Sequence, residues 1–150
     1  MLNPDYREML SALKNANVEF VIVGAFALAA HGNPRSTGDI DIYVRPSAEN
    51  ASKIMTALRA FGAPLIDVDA SDFVDLDTVL QIGVVPRRID LLTGLDGIAD
   101  FDEAWNSHVS AEIDGTSIPV LGRSTLIKNK RAIGRPQDLA DIAWLEAHPE

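Results

Sequence analysis

Apolar positions change their spacing along this chain, and the changes mark out its elements. Behind Asn3 and Pro4, a capping residue and a first-turn proline, Tyr6, Met9, Leu10 and Leu13 recur at helical spacing and predict a helix to about Asn15. Residues 18–23, apolar except for Glu19, read as a strand of buried type that stops at Gly24. The strongly helix-forming Ala25-Phe26-Ala27-Leu28-Ala29-Ala30-His31 follows at once, and Gly32-Asn33-Pro34 ends it. The next strand alternates: Asp39 and Asp41 on one face, Ile40, Ile42 and Val44 on the other. Pro46-Ser47 then opens an amphipathic helix with Ala51, Ile54, Met55, Leu58 and Phe61 along one side.

Farther on, runs at 78–82 and 87–92 read as a hairpin whose turn contains Gly83 and Pro86. A short helix at 101–107 leads to strands at 108–113 and 117–121, joined by the favoured hairpin pair Asp114-Gly115. The chain ends in two helical pieces, 124–133 and 136–147, broken by Gly134. The expected fold class is α/β (α+β): a mixed sheet with helices packed against it. Its 150 residues make one domain, 1–150, including a C-terminal helical segment over 123–147. Trp105 and Trp144 are expected to pack in the core.

Composition narrows the chemistry. With no cysteine, disulfide frameworks, thiol catalysis and cysteine zinc sites are excluded. No apolar run approaches the ~18 residues of a membrane span and no signal-peptide pattern is present, so the expected location is cytoplasmic. A formal net charge of −9 argues against an extended grip on a nucleic-acid duplex. Local charge differs: between Leu121 and Gln137 every charged residue is basic, namely Arg123, Lys128, Lys130, Arg131 and Arg135. That stretch suits a triphosphate or a short polynucleotide end, and equally a solvated helix face. Asp67, Asp69, Asp72, Asp75 and Asp77 fail as a calcium loop, because the turn glycine is replaced by Asp72 and the distal Glu by Thr78; a solvated loop is expected.

The candidate chemistry lies in the paired acids. Side chains two apart on a strand share a face, with Cα atoms roughly 6.6 Å apart, so Asp39 and Asp41 converge on an otherwise apolar strand. Such a pair is costly to bury without a compensating cation. Two divalent ions held about 3.5–4 Å apart by carboxylates align nucleophile and leaving oxygen in phosphoryl or nucleotidyl transfer. A third acid, Asp90, interrupts the apolar run Ile89-Asp90-Leu91 and joins the pair if its strand lies alongside. Gly24, where a strand passes into a helix, is a ready anion site. The three histidines lack metal-ligand spacing, His31 reads as a packed or capping residue, and neither a nucleophile elbow nor a Walker loop occurs.

These residues resemble the nucleotidyltransferase fold shared with DNA polymerase β, in its small prokaryotic form: strand, glycine turn, helix, Asp-x-Asp strand, later third acid. The run from Gly24 through Arg35-Ser36-Thr37 and the ending Leu126-Ile127-Lys128-Asn129-Lys130-Arg131-Ala132-Ile133-Gly134-Arg135-Pro136-Gln137-Asp138-Leu139-Ala140-Asp141-Ile142 resemble stand-alone relatives of AbiEii-type nucleotidyltransferase toxins. The resemblance implies that Asp39 and Asp41 ligate Mg2+, or Mn2+, that Asp90 completes the triad and positions an attacking hydroxyl, and that Gly24 and Ala25 approach the phosphates of an NTP. It also implies that Lys130, with Lys128 as fallback, contacts the triphosphate, that Asp138 orients that lysine, and that Arg35 and Thr37 reach phosphate or base. Ala25 departs from the family's Gly or Ser, although alanine keeps its N–H.

Two readings follow. One is a metal-dependent enzyme moving an NMP from an NTP to a hydroxyl on a small molecule, a protein or an RNA end, as a toxin–antitoxin or phage-defence component. The other is a non-catalytic nucleotide- or partner-binding protein of the same fold, with a cognate partner protein. A third, an aminoglycoside nucleotidyltransferase, ranks lower because no separate acceptor-binding domain is present.

Overall fold

The structure is a computed structural model and describes residues 2–149. Its elements run α1 (Pro4–Asn15), β1 (Phe20–Val23), α2 (Gly24–Ala30), β2 (Asp39–Val44), α3 (Ala48–Phe61), β3 (Val79–Ile82), β4 (Arg88–Leu92), α4 (Phe101–Asn106), β5 (Val109–Ile113), β6 (Thr116–Val120), α5 (Arg123–Ile133) and α6 (Pro136–Ala147). The six strands form one mixed sheet in the order β3-β4-β2-β1-β6-β5. β1 pairs antiparallel with β2 and parallel with β6, and β2 pairs parallel with β4. The expected mixed α/β architecture is therefore the observed one.

Local signals account for most boundaries. The Asn3 side chain accepts from Tyr6 N–H at 3.0 Å and Ser47 accepts from Asn50 N–H at 3.2 Å, capping α1 and α3. Tyr6, Met9, Leu10 and Leu13 of α1 and Ala51, Ile54, Met55 and Leu58 of α3 are buried as their spacing predicts. Both residues of the β5–β6 turn, Asp114 (φ 49°) and Gly115 (φ 82°), are left-handed, as that tight hairpin requires. β1 begins at Phe20 rather than at residue 18. Asn17 turns into the left-handed region, and Val18 N–H is spent on Leu13 O at 3.0 Å, closing α1 before the strand can start.

Two other expectations are refined. The acidic stretch is pinned as well as solvated: Asp69 and Asp72 cap each other's backbone around a 3-10 turn at Ala70–Phe73, and Phe73 is wholly buried. Trp105 and Trp144 are half-buried against the core, each with a histidine ring beside it, His108 and His148. Among the described residues, no helix is long and apolar enough to cross a membrane.

Candidate active site

Sheet topology assembles the acids. β2 is central, so it has β1 on one side and β4 on the other, and the β2–β4 register sets Asp39 opposite Arg88 and Asp41 opposite Asp90. Ligand atoms of Asp39, Asp41 and Asp90 all lie within 4.8 Å of one another. Ile40, Ile42 and Val44 point to the opposite face and are buried, which fixes the acids on theirs.

β1 adds the glycine. Its last residue, Val23, is registered against Asp41, so the turn into α2 falls at the level of the carboxylates. Gly24 has φ +69°, and a Cβ there would run into Asp41 Oδ2. Space and backbone both demand glycine. Since α2 is seven residues long, its dipole is short, and the exposed backbone of the turn is what Gly24 and Ala25 bring to the cleft.

Burial and crowding perturb the site. Desolvation, then the charges of Asp39 and Asp90, then a hydrogen bond shared with Asp90 raise the Asp41 carboxyl to about 7, while Arg88 pulls it the other way. Hard oxygen donors converging from two strands, one of them held in the ionisable range, fit a divalent cation such as Mg2+ or Mn2+.

A basic wall faces this acidic one. Lys130 Nζ, on α5, is buried and donates to Asp141 Oδ2 at 2.9 Å, with Asp138 Oδ1 at 3.7 Å. Arg35 grips the same Asp141 bidentately, at 2.9 and 2.5 Å. Arg135 Nε donates to Asp138 Oδ2 at 2.7 Å, and Asp138 also caps α6 through Arg135 N–H at 3.2 Å. Burial pushes the Asp141 carboxyl up, but the Arg35 and Lys130 hydrogen bonds outweigh it and hold the group below its usual range. The Arg135 hydrogen bond does the same for Asp138.

Between the walls lies a cleft of about 580 Å³ lined by Gly24, Ala25, Arg35, Thr37, Asp39, Asp41, Lys130, Arg135 and Asp138, among others. Thr37 Oγ1 steadies one acid by donating to Asp39 Oδ1 at 2.9 Å. Of the sequence-predicted residues, Lys128 falls elsewhere. It sits two positions from Lys130 on α5, which turns it off the cleft, and it pairs with Glu103 at 2.5 Å. The rest of the basic run is scattered too: Arg123 donates to Leu145 O and Arg131 faces Glu146.

Sequence reasoning passed over two residues. Asp141 has no assigned role in the sequence, yet it joins Arg35 to Lys130. Arg88, two before Asp90 and so on the same strand face, binds both Asp39 and Asp90; strand alternation alone would have found it. His31 acts as expected, closing α2, with Nε2 2.9 Å from Leu121 O.

Fold and site together define a nucleotidyltransferase. The chain belongs to the aminoglycoside-2''-adenylyltransferase family, whose model matches residues 5–145. No curated protein sequence matches it. Among solved structures, a Thermotoga maritima protein described as a nucleotidyltransferase is similar at a TM-score of 0.62 and 19% identity, over 98% of this chain and 96% of that one. The lincosamide antibiotic adenylyltransferase LnuA, solved with lincomycin bound, gives a TM-score of 0.65 at 13% identity over 99% of both chains. ANT(2")-Ia, solved with adenylyl-2"-tobramycin, gives 0.62 at 16% identity over 95% of this chain and 86% of that one. At these identities the structural likeness speaks to the fold. The AbiEii-type relation is not shown by these matches.

Proposed function

We propose that this chain transfers a nucleoside monophosphate, AMP by the family's description, from an NTP to a hydroxyl of a cationic small molecule. The observation that carries this reading is the pairing of opposite walls in one cleft: Asp39 and Asp41 of β2, backed by the buried Asp90 of β4 within 4.8 Å, across from Lys130, Arg35 and Arg135. Asp39, Asp41 and Asp90 would hold divalent metal, Mg2+ or Mn2+, which when bound supplies charge neutralisation at the α-phosphate. Lys130 and Arg35 bind the β- and γ-phosphates, and the turn at Gly24 and Ala25 lets the backbone approach them. Asp90 orients the acceptor hydroxyl and takes its proton. The hydroxyl oxygen bonds to the α-phosphorus as the bond to the bridging oxygen breaks, and pyrophosphate leaves.

The acceptor class has its own support. A second hollow of about 420 Å³ adjoins the cleft, sharing Val79, Gly94, Leu95 and Asp96 with it, and three acids, Asp77, Asp96 and Asp100, are among its lining residues. Three carboxylates lining one hollow suit a polyamine-like cation. The expectation that an antibiotic-modifying enzyme needs a separate acceptor domain, which ranked that reading low, loses its force: this chain spans 99% of the length of LnuA. The toxin–antitoxin and phage-defence readings keep only the motif resemblance, and so does a non-catalytic role inferred from Ala25. Incubation with labelled ATP, Mg2+ and a panel of aminoglycosides decides between them. Pyrophosphate release and a labelled acceptor are expected; the same label transfer in Asp39→Asn plus Asp41→Asn protein sinks the reading, and NTP binding without turnover favours the non-catalytic one.

A further inference from the structure

β2 and β4 run parallel with Asp39 opposite Arg88 and Asp41 opposite Asp90, so four charged side chains occupy the corners of one square on a single sheet face. Three corners are carboxylates and the fourth is a guanidinium. Arg88 Nη2 lies 2.7 Å from Asp39 Oδ2 and 3.2 Å from Asp90 Oδ2, and its Nε lies 3.1 Å from Asp90 Oδ1. These oxygens belong to two of the three residues whose donors converge.

We infer that Arg88 is a built-in counter-cation that competes with divalent metal for Asp39 and Asp90 and thereby sets the affinity of the acid triad. The inference rests on the reading of that triad as a metal site. A carboxylate oxygen engaged by a guanidinium fork has given up lone-pair directions that a metal needs, and two cations a few ångströms apart repel. Asp90 is nearly inaccessible, with 7% of its side chain exposed against 30% for Arg88, so the arginine is the partner free to swing away. Meanwhile the fork, which bridges two strands, holds the acids parallel against their mutual repulsion. Weak loading by metal alone follows. Metal brought in with a triphosphate gains extra ligands and wins the competition.

The test is Mn2+ binding by calorimetry and by the loss of free-ion paramagnetic signal, without nucleotide, in wild type, Arg88→Gln and Arg88→Lys, each also carrying Asp39→Asn as a control. Arg88→Gln should bind Mn2+ on the order of tenfold more tightly than wild type. Arg88→Lys, which keeps the charge but loses the fork, should fall between them. The Asp39→Asn background should abolish the tight site in all three. If wild type binds Mn2+ at the triad and Arg88→Gln binds equally or less well, Arg88 is a scaffold only and the inference is overturned. Should Arg88→Gln fail to fold by circular dichroism, Arg88→Lys decides alone: affinity at or below wild type overturns it. If neither protein binds Mn2+ at the triad, the metal reading itself fails and this inference falls with it.

Discussion

Lys130 and Asp141 form an ion pair inside the protein: Nζ donates to Oδ2 at 2.9 Å, and each side chain is only 5% exposed. Removing one partner of such a pair leaves a buried charge uncompensated, at a cost of about 3–5 kcal/mol. Here Asp138, at 3.7 Å from the same ammonium, softens the loss. Asp141→Asn should therefore destabilise by about 3 kcal/mol in urea, the low end of that range. Because Lys130 and Arg35 lose their shared holder, KM for the NTP should rise about tenfold with a smaller change in kcat. A variant with wild-type KM would reduce Asp141 to a structural role.

Asp41 carries the pH dependence. Its carboxyl titrates near 7 in the folded chain against an ordinary 3.8. The folded state thus holds a proton that the unfolded chain has already lost, and the stability this brings is complete below about pH 3.8 and is lost as pH rises through 7. Metal binding must displace that proton. Mn2+ should raise Tm more at pH 8 than at pH 5.5, with release of up to one proton, read from calorimetry in buffers of differing ionisation enthalpy. Asp41→Asn, which removes the strained charge, should be more stable than wild type at pH 8 by about 1 kcal/mol and should not transfer label. Lower stability of that variant at pH 8 would contradict the crowding of the acids.

Gly24 is the tightest point of the site. Alanine there would need a left-handed backbone, worth roughly 1–2 kcal/mol, and would drive its methyl into Asp41 Oδ2. Gly24→Ala should fold, lose about that much stability, and lose activity on the order of a hundredfold through misplacement of the carboxylate. Activity within a factor of two of wild type would show that Asp41 has room to retreat.

The sequence made one part of this site legible and hid another, for a physical reason. Asp39, Asp41, Asp90 and Gly24 stand out because they violate local rules, acids on apolar strands and a glycine at a strand end, so their oddity survives without knowledge of the fold. Arg88 and Asp141 violate nothing locally. A charged residue at a strand start or within a helix is ordinary, and only the tertiary contacts Arg88–Asp39 and Lys130–Asp141 give them roles. Lys128 shows the converse: a basic run looks uniform in sequence, but the helical turn sends Lys130 inward and Lys128 to Glu103. The element boundaries were legible because caps and glycine turns are local too. The start of β1 escaped, and so did the 3-10 turn at Ala70–Phe73, masked by the acids around it.

The proposed acceptor hollow is open to a direct test, since Asp96 lines both it and the larger cleft while Asp77 lines the hollow alone. If the acceptor is cationic, each acid contributes mainly through charge, and an exposed pair of this kind is worth about 0.2–1 kcal/mol. Asp77→Asn should then raise KM for a polyamine-like acceptor two- to fivefold, roughly, and leave KM for the NTP unchanged. Asp96→Asn should raise acceptor KM by at least as much, because its charge faces both spaces. Raising the salt from 50 to 300 mM, about a 2.4-fold shortening of the Debye length, should weaken wild-type acceptor binding more than that of Asp77→Asn. Equal salt dependence in the two proteins would mean that charge does not choose the acceptor.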